Sequence, residues 1–192
     1  MEKYLGKKKI AVFISGKGSN FKSLARYSMN KNCLFKIELV ISNNFNAKGL
    51  EIANKSKIKS RSIKYLNIQN FENRSLKLLK KHKIDLICLA GFMRILSEKF
   101  IKKFSKPILN IHPSLLPKYK GFNTHYRAIK NKDKYSGATV HIVNEKLDSG
   151  KIIIQEKVKI LKSDVEKTLE RKVLKLEHSI YPKAINKLLT SY

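Results

Sequence analysis

Through the first half of the chain, short apolar runs alternate with stretches whose apolar residues recur every three or four positions. Ile10–Ile14, Phe35–Ile41, Arg61–Tyr65, Asp85–Ala90 and Ile108–Ile111 read as strands, and Phe21–Met29, Ala47–Ser56, Phe71–His82 and Glu98–Phe104 as helices. The longest of these strands lack a polar face, which predicts a parallel sheet covered by helices on both sides. The pattern then changes. Gly137–Val143 and Lys151–Val158 are strand runs joined by the short connector Asn144–Gly150, a spacing that permits antiparallel pairing. A helix from about Asp164 to Leu189 closes the chain, with an interruption expected at Pro182, which lacks an N–H and crowds a helix interior. The expectation is an α/β fold: a Rossmann-like, mainly parallel sheet with helices on both faces, then a C-terminal strand pair and helix. In such sheets ligands bind beyond the carboxyl ends of the strands. The segments after Ile14, Ala90 and Ile111 are therefore where chemistry is expected.

With 192 residues and 42% hydrophobic content the chain fits one domain, expected over residues 1–192. At that length folding buries ~70% of the surface of the unfolded chain, without a disulfide or metal staple. Charge changes the picture less than its size suggests. Lys and Arg number 42 against 14 Asp and Glu, a net +28, but 36 of the 42 are Lys and they are spread along the chain. Phosphate and guanine recognition favours the planar fork of Arg. The charge is read as a compositional background that attracts anions without specificity, and no specific nucleic-acid partner is expected. Cys33 and Cys88 are isolated, no apolar stretch reaches the ~20 residues of a membrane helix, and Met1–Tyr4 carries no signal-peptide apolar region. A cytoplasmic protein without membrane contact is expected.

Four segments carry candidate chemistry. Ile14-Ser15-Gly16-Lys17-Gly18-Ser19-Asn20 leaves a strand and opens a helix. It fits either an anion-binding turn, whose free amides face a phosphate, or a plain turn with Ser19 or Asn20 capping the helix. Ala90-Gly91-Phe92-Met93-Arg94-Ile95-Leu96 is either an apolar pocket wall or a core corner. In Asn110-Ile111-His112-Pro113, strand alternation puts an amide and an imidazole on one face, able to donate to a developing oxyanion and to move a proton. The alternative is a histidine that merely satisfies a carbonyl at the edge of the core. Asp148-Ser149-Gly150 is a good turn in its own right. If Asp148 meets His112, the carboxylate is expected to raise the imidazole pKa. His141 is a further candidate, with a structural role the more natural reading.

These segments, in this order and spacing, resemble the glycinamide ribonucleotide formyltransferases. Val40-Ile41-Ser42-Asn43, Ala47-Lys48-Gly49-Leu50 and Glu177-His178-x-Ile180-Tyr181-Pro182 add to the resemblance, which runs from about Lys8 to Leu188. It implies a formyltransferase fold. It also implies transfer of the formyl group of 10-formyltetrahydrofolate, a co-substrate, to the amine of 5′-phosphoribosylglycinamide in purine biosynthesis, without a metal. By the same resemblance Asn110, His112 and Asp148 are catalytic, with Asp148 holding His112 protonated. Gly18, Ser19, Asn20 and Glu177 hold the ribonucleotide. Met93, Arg94, Ile95, Leu96, Asn110 and Glu145 border the folate, and Ser114–Tyr135 is a mobile loop beside it. The partners implied are these two small molecules, for a monomer or homodimer. A family arginine for the folate tail falls near Ile68 here, so that contact is absent or shifted to a neighbour such as Arg74, and Lys120 stands where the family commonly has proline. Methionyl-tRNA formyltransferase shares an Asn-x-His…Ser-Leu-Leu-Pro element but carries a further C-terminal domain. A dinucleotide oxidoreductase is disfavoured because Phe21 stands where a third glycine would be.

Overall fold

The computed structural model describes residues 6–191; the segment Met1–Tyr4 lies outside them. Seven strands form one sheet: β1 (Lys8–Ile14), β2 (Phe35–Ser42), β3 (Ser60–Ser62), β4 (Leu86–Leu89), β5 (Ile108–His112), β6 (Tyr135–Ile142) and β7 (Ile152–Lys159). Their order is β3-β2-β1-β4-β5-β6-β7. The first five run parallel, and β6 pairs antiparallel to both β5 and β7. Strands β2 and β3 are added on one side of β1 and β4 and β5 on the other, so the crevice of a doubly wound sheet opens between the carboxyl ends of β1 and β4.

Why the inner strands read as unbroken apolar runs is visible in how they are covered. Ile10, Val12 and Ile14 of β1 point into a layer shared with Phe21 and Leu24 of α1 (Ser19–Tyr27) and Leu169, Val173 and Ile185 of α6 (Glu166–Thr190). Ala11 and Phe13 point the other way, onto Phe71 and Leu79 of α3 (Ile68–Lys81) and Phe100 and Phe104 of α4 (Glu98–Phe104). Both alternating sets are buried, so neither face has room for polar residues. Helix α2 (Lys48–Lys55) joins the first layer through Ala53.

Two expectations are corrected. Helix α6 runs without a break through Pro182. The carbonyl of His178, which loses its helical donor at Pro182, accepts from the Ser23 hydroxyl at 2.9 Å instead, so α1 satisfies the group that the proline leaves open. Ser114–Tyr135 is not one continuous loop, because it contains α5 (Thr124–Lys130), which buries Thr124 and Ala128. Tyr181, fully buried on α6, donates its hydroxyl to the carbonyls of Leu89 (2.9 Å) and Leu109 (3.1 Å), tying β4 and β5 together.

Candidate active site

Strand β5 ends in Asn110-Ile111-His112, and β6 pairs Asn110 with His141. The connector after β6 then folds back so that Asp148, at φ +46, reaches all three side chains. A left-handed backbone is tolerated by Asp better than by most residues. The Asp148 carboxylate lies 3.3 Å from His112 Nδ1 and 3.5 Å from His141 Nε2, and accepts from Asn110 Nδ2 at 3.4 Å and from the Gly121 N–H at 2.9 Å. Asn110 Nδ2 is also 3.2 Å from His141 Nε2. His112, His141 and Asp148 are buried. Asn110 and His112 thus share a face as strand alternation predicts. His141, read from sequence as structural, is drawn into the cluster by the β5–β6 register.

The electrostatics differ from expectation at His112. Its Nδ1 faces the carboxylate and its Nε2 faces the Tyr119 carbonyl at 2.9 Å, so only an imidazolium can donate to both. Burial opposes that charge and prevails: the pKa lies below the ordinary histidine value, although the Tyr119 carbonyl and Asp148 pull upward. The expected rise is therefore corrected to a fall. The ring that results is neutral near pH 7 and keeps one nitrogen against an acceptor it cannot serve, a mismatch relieved when it takes up a proton. Burial also disfavours the Asp148 carboxylate, but the hydrogen bonds with His141 and Gly121 and the proximity of the two imidazoles outweigh it, leaving its pKa low.

The glycine loop after β1 opens α1 with Gly18 as N-cap at φ +73 and no side-chain cap, so neither Ser19 nor Asn20 caps the helix. A Cβ on Gly18 would come within 2.6 Å of Gly49 Cα, which requires glycine for packing as well as for backbone conformation. Asn20 instead points inward and donates to Glu177 Oε2 at 2.7 Å, while its own Oδ1 is buried without a partner among the described residues. Burial pushes the Glu177 carboxyl up to about 7 against that hydrogen bond.

At the end of β4, Phe92 and Leu96 are buried, while Met93 and Ile95 are exposed by 58% and 65%. Arg94 stacks over Tyr65 at 4.4 Å. Together with Ser15, Asn43, Phe45 and Lys64, Met93 and Arg94 line a cleft of about 670 Å³. The cleft is built from segments that follow β1, β2, β3 and β4, and Asn110, His112 and Asp148 do not line it; the Tyr119 carbonyl and the Gly121 N–H bond His112 and Asp148 instead. Arg74 does not line the cleft, so the cations available there are Lys64 and Arg94. Glu145 lies exposed in the connector that carries Asp148. Among the described residues no group of three or more His, Cys, Asp or Glu is arranged to hold a metal ion.

A doubly wound sheet with an amide, an imidazole and a carboxylate converging at one strand carries the kinds of group with which an acyl- or formyl-transfer site stabilises an oxyanion and moves a proton. The formyl transferase family model matches residues 8–185, and the chain belongs to that family. It is 42% identical to the phosphoribosylglycinamide formyltransferase of Haemophilus influenzae, covering 93% of this chain and 85% of that one. It is also 42% identical to the human trifunctional purine biosynthetic protein adenosine-3 over 93% of this chain, but spans only 18% of that protein's length. The crystal structure of phosphoribosylglycinamide formyltransferase from Brucella melitensis superimposes with a TM-score of 0.91 at 40% identity, covering 95% of this chain and 96% of that one.

Proposed function

We propose that the protein transfers the formyl group of 10-formyltetrahydrofolate to the amine of 5′-phosphoribosylglycinamide, a step of purine biosynthesis. The convergence of Asn110, His112 and Asp148 in a formyl transferase chain carries this reading. The acceptor amine attacks the formyl carbon, forming a C–N bond and an oxyanion on the formyl oxygen. Asn110 Nδ2 donates to that oxygen, and His112 supplies the second donor from Nε2 when the ring is protonated and Nε2 is released from the Tyr119 carbonyl. Asp148 orients the imidazole and favours its charged form. The intermediate collapses by breaking the bond to the folate nitrogen, which receives the proton lost by the acceptor amine, relayed by water beside Asp148.

Gly18, Ser19 and Asn20 hold the ribonucleotide phosphate at the start of α1, and Glu177, bonded to Asn20, faces the glycinamide end. Met93, Arg94, Ile95, Leu96, Asn110 and Glu145 border the folate. The reading places the enzyme in the cytoplasm, acting on small molecules; among the described residues no helix is long and apolar enough to cross a membrane.

Supplying both substrates to the purified protein and following tetrahydrofolate release tests the assignment. Turnover with charged initiator tRNA, and none with phosphoribosylglycinamide, would overturn it. His112→Ala and Asp148→Asn should each lower kcat by roughly 10²–10⁴-fold with an unchanged circular dichroism spectrum. A near-normal rate in either removes that residue from the mechanism.

A further inference from the structure

The segment Met93–Ile95 is exposed and belongs to no helix or strand. Its flanks are well anchored. On one side Phe92 stacks on Phe71 (5.5 Å between centroids) and meets Phe13 edge-on (5.4 Å). On the other, both oxygens of buried Glu72 accept from Ser97, from its N–H and its hydroxyl, each at 2.6 Å. Between these anchors, among the described residues, the backbone of Met93–Ile95 makes one hydrogen bond to the protein: the Met93 N–H donates to Ser15 Oγ at 2.8 Å.

Ser15 clamps this bend from two directions. Its own N–H donates to the Gly91 carbonyl at 3.1 Å, and Gly91 turns the chain at φ +72. Its hydroxyl hydrogen is committed to Asn43 Oδ1 at 2.6 Å, which leaves the oxygen lone pairs aimed at Met93. Its carbonyl accepts from Asn44 Nδ2 at 3.2 Å, so the ends of β1, β2 and β4 meet at one residue. A group with one donor and one acceptor on a single-carbon stem is needed there, and Ser supplies both.

We propose that Ser15 is a positioning residue for folate binding: through Asn43 its hydroxyl fixes the Met93 backbone, and with it the wall that Met93–Leu96 presents. This rests on the folate reading of that segment. Because Met93 is largely exposed, water replaces the lost bond in a Ser15→Ala variant, so the cost falls on orientation more than on folding.

The test compares wild type, Ser15→Ala, Ser15→Thr and Asn43→Ala by steady-state kinetics with each substrate varied, and by calorimetric titration with tetrahydrofolate. Ser15→Ala should raise the folate KM and the tetrahydrofolate Kd by about 3–10-fold. The KM for phosphoribosylglycinamide should move by less than about twofold, and Ser15→Thr should restore folate affinity. Asn43→Ala should weaken tetrahydrofolate in the wild-type background and add little in Ser15→Ala. Unchanged folate affinity in Ser15→Ala, an equal loss for both substrates, or failure of threonine to restore affinity would each overturn the proposal. If wild type binds tetrahydrofolate but does not formylate the acceptor, the acceptor assignment fails while the affinity ratios still decide the role of Ser15. If wild type does not bind tetrahydrofolate, both readings fail.

Discussion

Glu177→Gln offers a direct measure of what burial does to the carboxyl beside Asn20. Burial raises its pKa from 4.5 to about 7, so the native state keeps a proton that the unfolded chain has already released. Across that interval the native state binds more protons than the unfolded state, and stability therefore falls as pH rises. At about 1.4 kcal/mol per pH unit, the interval from 4.5 to about 7 is worth roughly 3 kcal/mol. That contribution is fully present below the unfolded value and is gone once pH has passed the folded one. Glutamine cannot ionise, and its carboxamide keeps an acceptor for Asn20 Nδ2 while adding a donor for the buried Asn20 Oδ1. Urea denaturation of both proteins from about pH 4.5 to 8 reads the difference between them. The stability of the variant relative to wild type should rise by roughly 3 kcal/mol across that range and level off above about pH 7. Parallel curves would refute the reasoning, because they would mean that Glu177 ionises as it does in water.

Two further substitutions test how the sheet and α6 are held. Tyr181→Phe removes the hydroxyl shared by the Leu89 and Leu109 carbonyls and should cost about 1–3 kcal/mol in thermal or urea denaturation; a neutral result would mean the strands hold themselves. Ser23→Ala should cost about 1 kcal/mol in wild type but much less in Pro182→Ala, where residue 182 regains an N–H for the His178 carbonyl. Equal costs in the two backgrounds would show that Ser23 does not compensate for the proline.

Where sequence reading succeeded and failed follows from what each element needs. The inner strands were legible because burial on two faces leaves no polar position, and the helix Glu98–Phe104 was legible to its ends because Ser97 caps it and its apolar residues fall on one side. The short helix Thr124–Lys130 was hidden because only Thr124 and Ala128 are buried, too few apolar contacts to set a period. Pro182 misled because its local rule is real, while the hydroxyl that offsets it comes from Ser23, 159 positions earlier in the chain.

The sequence by itself determined that the fold is α/β, that Asn110 and His112 share a face at a strand end, and that the glycine loop opens a helix. Those properties depend on residue type and on periods of 2.0 and 3.6, which are local. Only the tertiary structure decided that Asp148 reaches His112, that His141 joins them, that burial outweighs the carboxylate at His112, and that Ser15 holds Met93. Each of these needs groups that lie far apart in the chain. Several also need main-chain atoms, the Tyr119 carbonyl and the Gly121 and Met93 N–H groups, that every residue carries and that no sequence pattern can single out.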